Sequence, residues 1–293
     1  MKHVPVLLRE TLEWLRPMAG GIYVDGNLGL GGHAGAILEA SGPDGRVIGF
    51  DWDEEALAAA RQNLRGYGDR LITFSRNFTA LPESLAEIGI TAVDGILLDL
   101  GVSSLQLDQP ERGFSFRNGG PLDMRMDTRQ GETAADLLNQ ASAEDLADIF
   151  YNFGEERQAR RIAAAVVESR RLAPLLTTDQ LASLVERAIP RKFHPRDIHV
   201  ATKVFQALRI AVNHELDNLV RVLEVGGSLL KEEGRFCVIS FHSLEDRLVK
   251  RAFLAAPRLR VLTRKPIRPT EEECRENSRS RSARLRVSEG MTV

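Results

Sequence analysis

The sequence predicts an α/β fold in which a parallel sheet is interrupted by a helical insertion. Short apolar runs alternate with helical patterns through the first hundred residues. This alternation is typical of parallel sheets that are covered by helices on both faces. The fourth apolar run ends at Asp99, and the next convincing one begins at Arg235. Because one helical crossover needs far fewer residues, the interval predicts an inserted domain.

Apolar runs bounded by turn-forming residues predict the strands, and apolar residues at helical spacing predict the helices that cover them. In chain order the predicted strands are Ile22–Asp25, Arg46–Asp51, Leu71–Phe74, Gly95–Asp99, Arg235–Phe241, Leu259–Thr263 and Arg284–Ser288. The predicted helices beside them are Ala34–Ala40, Glu54–Leu64, Leu81–Glu87 and Leu244–Leu254.

The insertion is predicted to begin with a loop and to continue as helices. Residues 107–132 are rich in Gly, Pro, Asp and Arg, which indicates an extended loop. Ser142 and Asp145 have the spacing of a capping box before an amphipathic helix. Thr178 is the predicted N-cap of a later helix, which Pro190 ends.

Two further helical patterns determine where the insertion ends. One covers Glu156–Arg171, and another begins near Val200 and is predicted to lead back to the sheet. We therefore predict one discontinuous domain of residues 1–106 and 203–293. Residues 107–202 form the inserted helical domain, which we expect on the substrate side.

Charge is distributed unevenly along the 293 residues. The net charge is −2, but residues 247–286 contain thirteen Lys or Arg and four Asp or Glu. That stretch carries a charge of +9, and the remainder of the chain carries −11. A surface that faces a polyanion is one interpretation, and a solvated basic surface is the other.

Composition excludes several classes of protein. No apolar run approaches the ~20 residues of a membrane-spanning helix, and no apolar core of a secretory signal follows the charged N-terminal residues. The two cysteines, Cys237 and Cys274, are too few for a disulfide framework or a zinc site. We expect a cytoplasmic protein that has no membrane partner.

A glycine-rich turn follows the first predicted strand and opens a helix. Gly29, Gly31 and Ala34 match a G-x-G-x-x-A spacing, and Asp51 lies twenty residues after Gly31. Glycines let the backbone approach a ligand closely, and a helix N-terminus favours anionic groups. The turn is compatible with a dinucleotide, with S-adenosylmethionine, or with no ligand.

Asp25 distinguishes between the two ligands. A carboxylate at the end of the first strand repels the pyrophosphate of a dinucleotide but attracts the ammonium group of a methionine moiety. Asp51 can accept hydrogen bonds from the ribose hydroxyls of either ligand. Asp25 therefore favours S-adenosylmethionine, with a dinucleotide-dependent oxidoreductase as the alternative.

Two further strand ends are predicted to face the same cleft, because ligands of such sheets bind beyond the carboxyl ends of the strands. Phe78 follows the third strand and is predicted either to contact an adenine ring or to pack in the core. Asp99 ends the fourth, apolar strand. A carboxylate there is costly to bury without a partner, which indicates a site residue.

Motifs spread over nearly the whole chain resemble those of the bacterial ribosomal-RNA small-subunit methyltransferase H family, also called the MraW family. They include the segments 3–10, 25–33, 94–104, 106–108, 111–116, 120–127, 151–157, 202–210, 239–247 and 277–286. The resemblance implies a class I, Rossmann-like S-adenosylmethionine-dependent methyltransferase fold with an all-helical domain inserted after strand four. It also implies methylation of N4 of a cytidine in the decoding region of 16S ribosomal RNA.

The resemblance implies positions for the cofactor contacts, which join Asp25 and Gly29 of the turn. These positions are Gly31, Gly32, His33, Asp51, Phe78, Asp99 and Gln106. A ribosome-assembly factor that binds RNA without catalysis is a further alternative.

For this reaction, the cytosine amine must be held in line with the methyl group, and acceptors for its hydrogens assist transfer. No metal is required. The predicted acceptors are Asp99, Ser104, Ser240, His242 and, on the inserted loop, Asp123. His242 could instead cap the following helix together with Glu245.

The predicted RNA contacts are arginines, because phosphates bind guanidinium groups. They are Arg125, Arg279, Arg281, Arg284 and Arg286, with Arg112 and Arg117 as further candidates on the insertion. Alternate residues of a strand share one face, which fits the pair Arg284 and Arg286. The expected partner is 16S ribosomal RNA in the small subunit, with no DNA expected and a homodimer left open.

Overall fold

A seven-stranded sheet forms the centre of one of two units in the computed structural model, which describes residues 5–117 and 119–292. The strands are β1 (Ile22–Asp25), β2 (Arg46–Phe50), β3 (Leu71–Phe74), β4 (Val93–Asp99), β5 (Leu230–Ser240), β6 (Leu259–Val261) and β7 (Arg284–Gly290). Their order is β3-β2-β1-β4-β5-β7-β6. The first five strands pair in parallel, whereas β7 is antiparallel to both β5 and β6, so the sheet is mixed.

Helices cover both faces of this sheet. They are α1 (Leu8–Leu15), α2 (Gly32–Ala40), α3 (Glu54–Asn63), α4 (Leu81–Glu87), α11 (Glu215–Gly226) and α12 (Ser243–Ala255). The same unit also contains α13 (Glu271–Glu276), which buries none of its residues. One buried cluster joins apolar residues of α1, α2 and α3 to the sheet, and a second cluster joins those of α4, α11 and α12 to the opposite face. The alternation of side chains along each strand therefore supplies two cores.

The second unit comprises Val102–Glu215 and is helical. Its helices are α5 (Ser104–Asp108), α6 (Ala134–Gln140), α7 (Ala143–Asn152), α8 (Ala159–Arg170), α9 (Thr178–Ala188) and α10 (Thr202–Asn213). The predicted boundaries were 106/107 and 202/203, whereas the chain divides into its two units at 101/102 and 215/216. The helix expected to lead back to the sheet, α10, belongs to the inserted unit.

The helix caps of the second unit test the local predictions. Ser142 accepts the N–H of Asp145 and forms the predicted capping box. The prediction of Thr178 as the N-cap of α9 was wrong by one residue. Thr177 has extended backbone, and its side chain accepts the N–H of Gln180. Within the described ranges, no helix is long and apolar enough to cross a membrane.

Candidate active site

Three aspartates lie at the carboxyl ends of the adjacent strands β2, β1 and β4. Asp25 pairs in register with Gly49 and Leu97, so Asp51 and Asp99 each lie two residues beyond its strand neighbours. Because side chains alternate along a strand, all three carboxylates point to the face of the sheet that α2 covers. This arrangement fits the rule that ligands of doubly wound sheets bind beyond the carboxyl ends of the strands.

The glycine-rich turn follows β1 and brings backbone N–H groups to the same end of the sheet. Gly29 and Gly31 have φ angles of +52° and +83°, which residues with side chains rarely adopt. The Gly29 N–H donates to Oδ2 of Asp51 at 2.8 Å. This hydrogen bond therefore fixes the position of the turn relative to Asp51.

Two glycines of this turn serve packing. A Cβ atom on Gly32 would lie 2.4 Å from Cγ of Pro5, so the absence of a side chain lets the N-terminal segment pass. Gly26, which the sequence analysis did not single out, has the same requirement. A Cβ there would lie 2.3 Å from Cδ2 of Leu98. A glycine directly after a strand-end aspartate was the signal available in the sequence.

Asp25 is the most deeply buried of the three carboxylates, with 1% of its surface exposed. Its Oδ1 accepts the N–H of Asn27 at 3.2 Å, and its Oδ2 has no hydrogen-bond partner among the described residues. Burial raises the pKa of Asp25 to about 7, and the charge of Asp51 adds to the rise. A buried carboxylate without a cation is unfavourable, so this position suits a positively charged ligand.

Asp51 and Asp99 complete the acidic cluster. Burial raises the pKa of Asp51 to about 6, and the N–H groups of Asp53 and Gly29 oppose the rise. The pKa of Asp99 is raised well above its usual value by burial and by the charges of Asp25 and Glu245. Its Oδ2 lies 3.6 Å from Nε2 of His33, which is buried in the first turn of α2. The structure thus brings the predicted residues Asp25, His33, Asp51 and Asp99 to one end of the sheet.

The residues that follow β5 form the N-terminal cap of α12. Nδ1 of His242 accepts the N–H of Glu245, and Oε2 of Glu245 accepts the N–H groups of Phe241 and His242. His242 thus uses an acceptor nitrogen for the helix, which is the alternative role considered from the sequence. Ser240 is buried, and its Oγ donates to the carbonyl of Arg284 at 3.4 Å.

Phe78 follows β3 and is 8% exposed. Its side chain belongs to the core cluster on the face of α4, α11 and α12. Phe78 thus packs beside β1, β2 and β4, and its contact with an adenine ring stays a prediction.

The other predicted site residues belong to the second unit and take part in local structure there. Gln106 forms a capping box with Ser103 at the start of α5, whose first residue is Ser104. Asp123 binds Arg125 with both carboxylate oxygens, at 2.9 Å from Nε and 2.7 Å from Nη2.

Two further arginines of the insertion differ in exposure. Arg112 was expected on an RNA-facing surface, but it is buried and donates to the carbonyls of Arg125 and Met126. Arg117 is exposed.

The arginines of β7 share one face, as predicted, but both contact a carboxylate of α12. Nε and Nη2 of Arg286 donate to Asp246 at 2.6 and 3.2 Å, and Nη1 of Arg284 donates to it at 3.3 Å. Arg286 is only 5% exposed. The expectation that Arg286 contacts phosphate therefore does not agree with the structure, in which this side chain is buried and paired with Asp246. Asp246 was not singled out from the sequence, because it lies about forty residues from its partners in the chain.

Arg279 and Arg281 are exposed but do not lie on an extended segment. Both belong to a 3-10 turn at Ser278–Ser282. With about three residues per turn, residues two apart point in different directions. The extended path begins only at Arg284, so Arg279 and Arg281 do not form a second pair on the face of Arg284 and Arg286.

S-adenosylmethionine fits the acidic end of the sheet. Its ammonium group would be held by Asp25, whose Oδ2 is buried without a partner in the described chain. Asp51, which already accepts the Gly29 N–H, would bind the ribose hydroxyls. The positive charge of the cofactor would offset the unfavourable burial of these carboxylates.

Solved structures show the fold. A crystal structure of a protein named PH0851 aligns with 100% of this chain and 47% of its own, at a TM-score of 0.50 and 12% identity. The sheet order, its flanking helices and this likeness confirm the predicted α/β, Rossmann-like fold.

Comparison with known sequences gives the family. A protein of Desulfotalea psychrophila, named ribosomal RNA small subunit methyltransferase H, is 57% identical over 98% of this chain and 97% of its own length. One of the same name from Geotalea uraniireducens is 50% identical over 98% of each. The model of the MraW methylase family matches residues 1–291, which confirms the resemblance and S-adenosylmethionine as the cofactor. The chain belongs to the MraW methylase family.

Proposed function

We propose that this protein methylates N4 of a cytidine in the decoding region of 16S ribosomal RNA within the small ribosomal subunit. The relatives named ribosomal RNA small subunit methyltransferase H support the choice of RNA and subunit. The observation that carries the chemistry is the position of Asp99, a largely buried carboxylate beside Asp25, His33 and Glu245 at the sheet end that suits the methyl donor.

The chain's own residues have two tasks in this reaction. When bound, S-adenosylmethionine supplies an electrophilic methyl group on sulfur. Asp25 and Asp51 would hold the cofactor through its amine and its ribose, and would so position the methyl group for transfer. The cytosine amine must be held close to that group and in line with it, because its lone pair is delocalised and weakly nucleophilic.

We assign to Asp99 the role of accepting a proton from the cytosine amine. As the nitrogen–carbon bond forms and the sulfur–carbon bond breaks, the nitrogen becomes acidic and loses one hydrogen. The Asp99 carboxylate accepts this hydrogen, and its raised pKa makes it a stronger base than an ordinary aspartate. His33, 3.6 Å from Oδ2, restricts the orientation of the Asp99 side chain.

The test is methyl transfer to isolated small subunits that lack the modification. We expect wild-type protein to form N4-methylcytidine at one position of the decoding region, as mapped by nuclease digestion and mass spectrometry. Asp99→Asn should lower the rate by ~10²–10⁴-fold. Glu144→Gln, an exposed change in the second unit, is the matched control and should retain the wild-type rate.

Methylation at another atom or another base would contradict the assignment of N4. Subunit binding without any methyl transfer would instead favour an assembly factor, and binding of a dinucleotide in place of S-adenosylmethionine would favour an oxidoreductase.

A further inference from the structure

A groove of about 570 Å³ lies at the β6 edge of the sheet. Its apolar wall comes from the second half of α12 and from β6, and it includes Leu254, Leu259 and Val261. Two cations, Lys250 and Arg264, line it as well. The volume is within the ~300–1,000 Å³ of ordinary ligand sites.

The chain segment that contributes most of this groove is strongly basic. Residues 247–268 contain eight Lys or Arg and no Asp or Glu. Lys250 and Arg264 are exposed, and neither forms an ion pair with a described carboxylate. Arg286 also lines the groove, but Asp246 already compensates its charge. Both uncompensated cations are therefore available to an anionic ligand.

One residue of the apolar wall is exposed as well. Leu254 is 66% exposed, although Phe253 beside it is buried in the core. A large aliphatic side chain that faces solvent next to two cations suits a ligand with flat apolar faces joined by negative charges. Single-stranded RNA has this chemistry, because its unstacked bases cover apolar surface while its phosphates bind cations.

We propose that this groove binds a single-stranded segment of the RNA substrate, with phosphates on Lys250 and Arg264 and a base against Leu254 and Val261. The inference rests on the proposed RNA substrate and adds a binding site that the predicted arginines did not include. The groove lies at β6, three strands from β4 and its Asp99. At ~4.8 Å between neighbouring strands, the groove is displaced from β4 by about 15 Å across the sheet.

This position gives the groove a separate role from chemistry. RNA held there would raise the affinity for the substrate and set its register, but it would not touch the reacting base. Loss of the groove should therefore raise the KM for small subunits and leave kcat at saturation unchanged.

The test compares two double variants of equal charge. Lys250→Gln with Arg264→Gln removes the groove cations. Arg258→Gln with Arg268→Gln removes two exposed cations of the same stretch that do not line the groove. Binding of a fluorescein-labelled single-stranded oligoribonucleotide is measured over a range of salt concentrations, and methyl transfer to small subunits is measured in parallel.

We expect the groove variant to bind RNA on the order of tenfold more weakly. Its salt slope should fall by about 1.4, because each phosphate that the protein no longer neutralises lowers the slope by ~0.7. The control variant should show less than half of either effect. Leu254→Ala should weaken binding several-fold at an unchanged salt slope. Unaltered S-adenosylmethionine affinity in each variant would show that the acidic end of β2, β1 and β4 is intact.

Equal effects of the two double variants would overturn the groove and leave only general charge attraction. Equally tight binding of poly-glutamate, with the same loss in the groove variant, would overturn RNA as its occupant. These outcomes are distinguishable from failure of the proposed function, because that failure would appear in the wild-type protein as absence of N4-methylcytidine.

Discussion

The acidic end of strands β2, β1 and β4 differs from the ion pair between β7 and α12 in how its charges are compensated. Asp25 is withdrawn from solvent and Asp99 is partly buried, both lie beside other carboxylates, and their pKa values are raised. Asp246 instead meets the guanidinium groups of Arg284 and Arg286. The first cluster needs an external cation, whereas the second is complete within the chain. Both contain buried charge, so compensation, and not burial alone, identifies the ligand site.

Removal of Asp246 should have the largest effect on stability. Asp246→Ala leaves Arg286 buried without a counter-charge, and we expect a loss of about 3 kcal/mol in the free energy of unfolding. Urea unfolding measures this change. Asp148→Ala, at an exposed position of α7, is the control and should stay within about 0.5 kcal/mol of wild type. A small loss of unfolding free energy for Asp246→Ala would mean that solvent, and not Asp246, compensates the charge of Arg286.

Removal of the Asp25 charge should have the opposite sign. Asp25→Asn keeps an acceptor for the Asn27 N–H and avoids a buried negative charge, so we expect about 1–2 kcal/mol of added stability at pH 8 without cofactor. The same change should weaken binding of S-adenosylmethionine by tenfold or more. Calorimetric titration and urea unfolding measure the two effects. A variant that is both less stable and equally tight-binding would remove Asp25 from the cofactor site.

The pH dependence of that difference follows from the raised pKa. Folded Asp25 titrates at about 7 and an unfolded aspartate near 3.8, so the folded state holds the extra proton between these values. By linkage, this group's contribution to stability is complete below about pH 4 and is lost as pH rises through about 7. The stability difference between Asp25→Asn and wild type should therefore widen from pH 4 to pH 8. A constant difference would contradict the raised pKa.

The affinity for S-adenosylmethionine should rise with pH, whereas the contribution of Asp25 to stability falls. Deprotonated Asp25 and Asp51 attract a cation more strongly, so the affinity for S-adenosylmethionine should rise about tenfold from pH 5.5 to pH 7.5. S-adenosylhomocysteine lacks the sulfonium charge and should show a weaker dependence. Equal pH profiles for the two ligands would mean that the carboxylates do not sense the sulfonium.

Local patterns allowed much of the fold to be predicted, because strands and helices depend on residues near in sequence. The ranges Ile22–Asp25, Leu71–Phe74 and Leu81–Glu87 coincide with β1, β3 and α4. The start of β5 was missed because Lys231 and the two glutamates after it are exposed and polar. That part of the strand therefore has no apolar pattern.

The site residues also fall into those that nearby sequence predicts and those that depend on tertiary packing. Asp25, Asp51 and Asp99 could be placed from strand ends alone, since parallel strands end at the same edge. The partner of Arg286 could not be found, because side-chain pairing between α12 and β7 depends on tertiary packing. A basic run in the sequence does not reveal which of its arginines is already paired.

The smallest expected effect concerns His242, whose substitution distinguishes a helix-capping role from a catalytic role. As an N-cap whose ring accepts the Glu245 N–H, it should contribute about 1 kcal/mol to stability, and His242→Ala should lose that amount. Asn is a good N-cap residue, so His242→Asn should restore both stability and the rate of methyl transfer. If Asn restores stability while the rate stays low, the imidazole itself takes part in the reaction and the catalytic role predicted for His242 is correct. Unfolding and single-turnover rates of the two variants measured side by side decide between these roles.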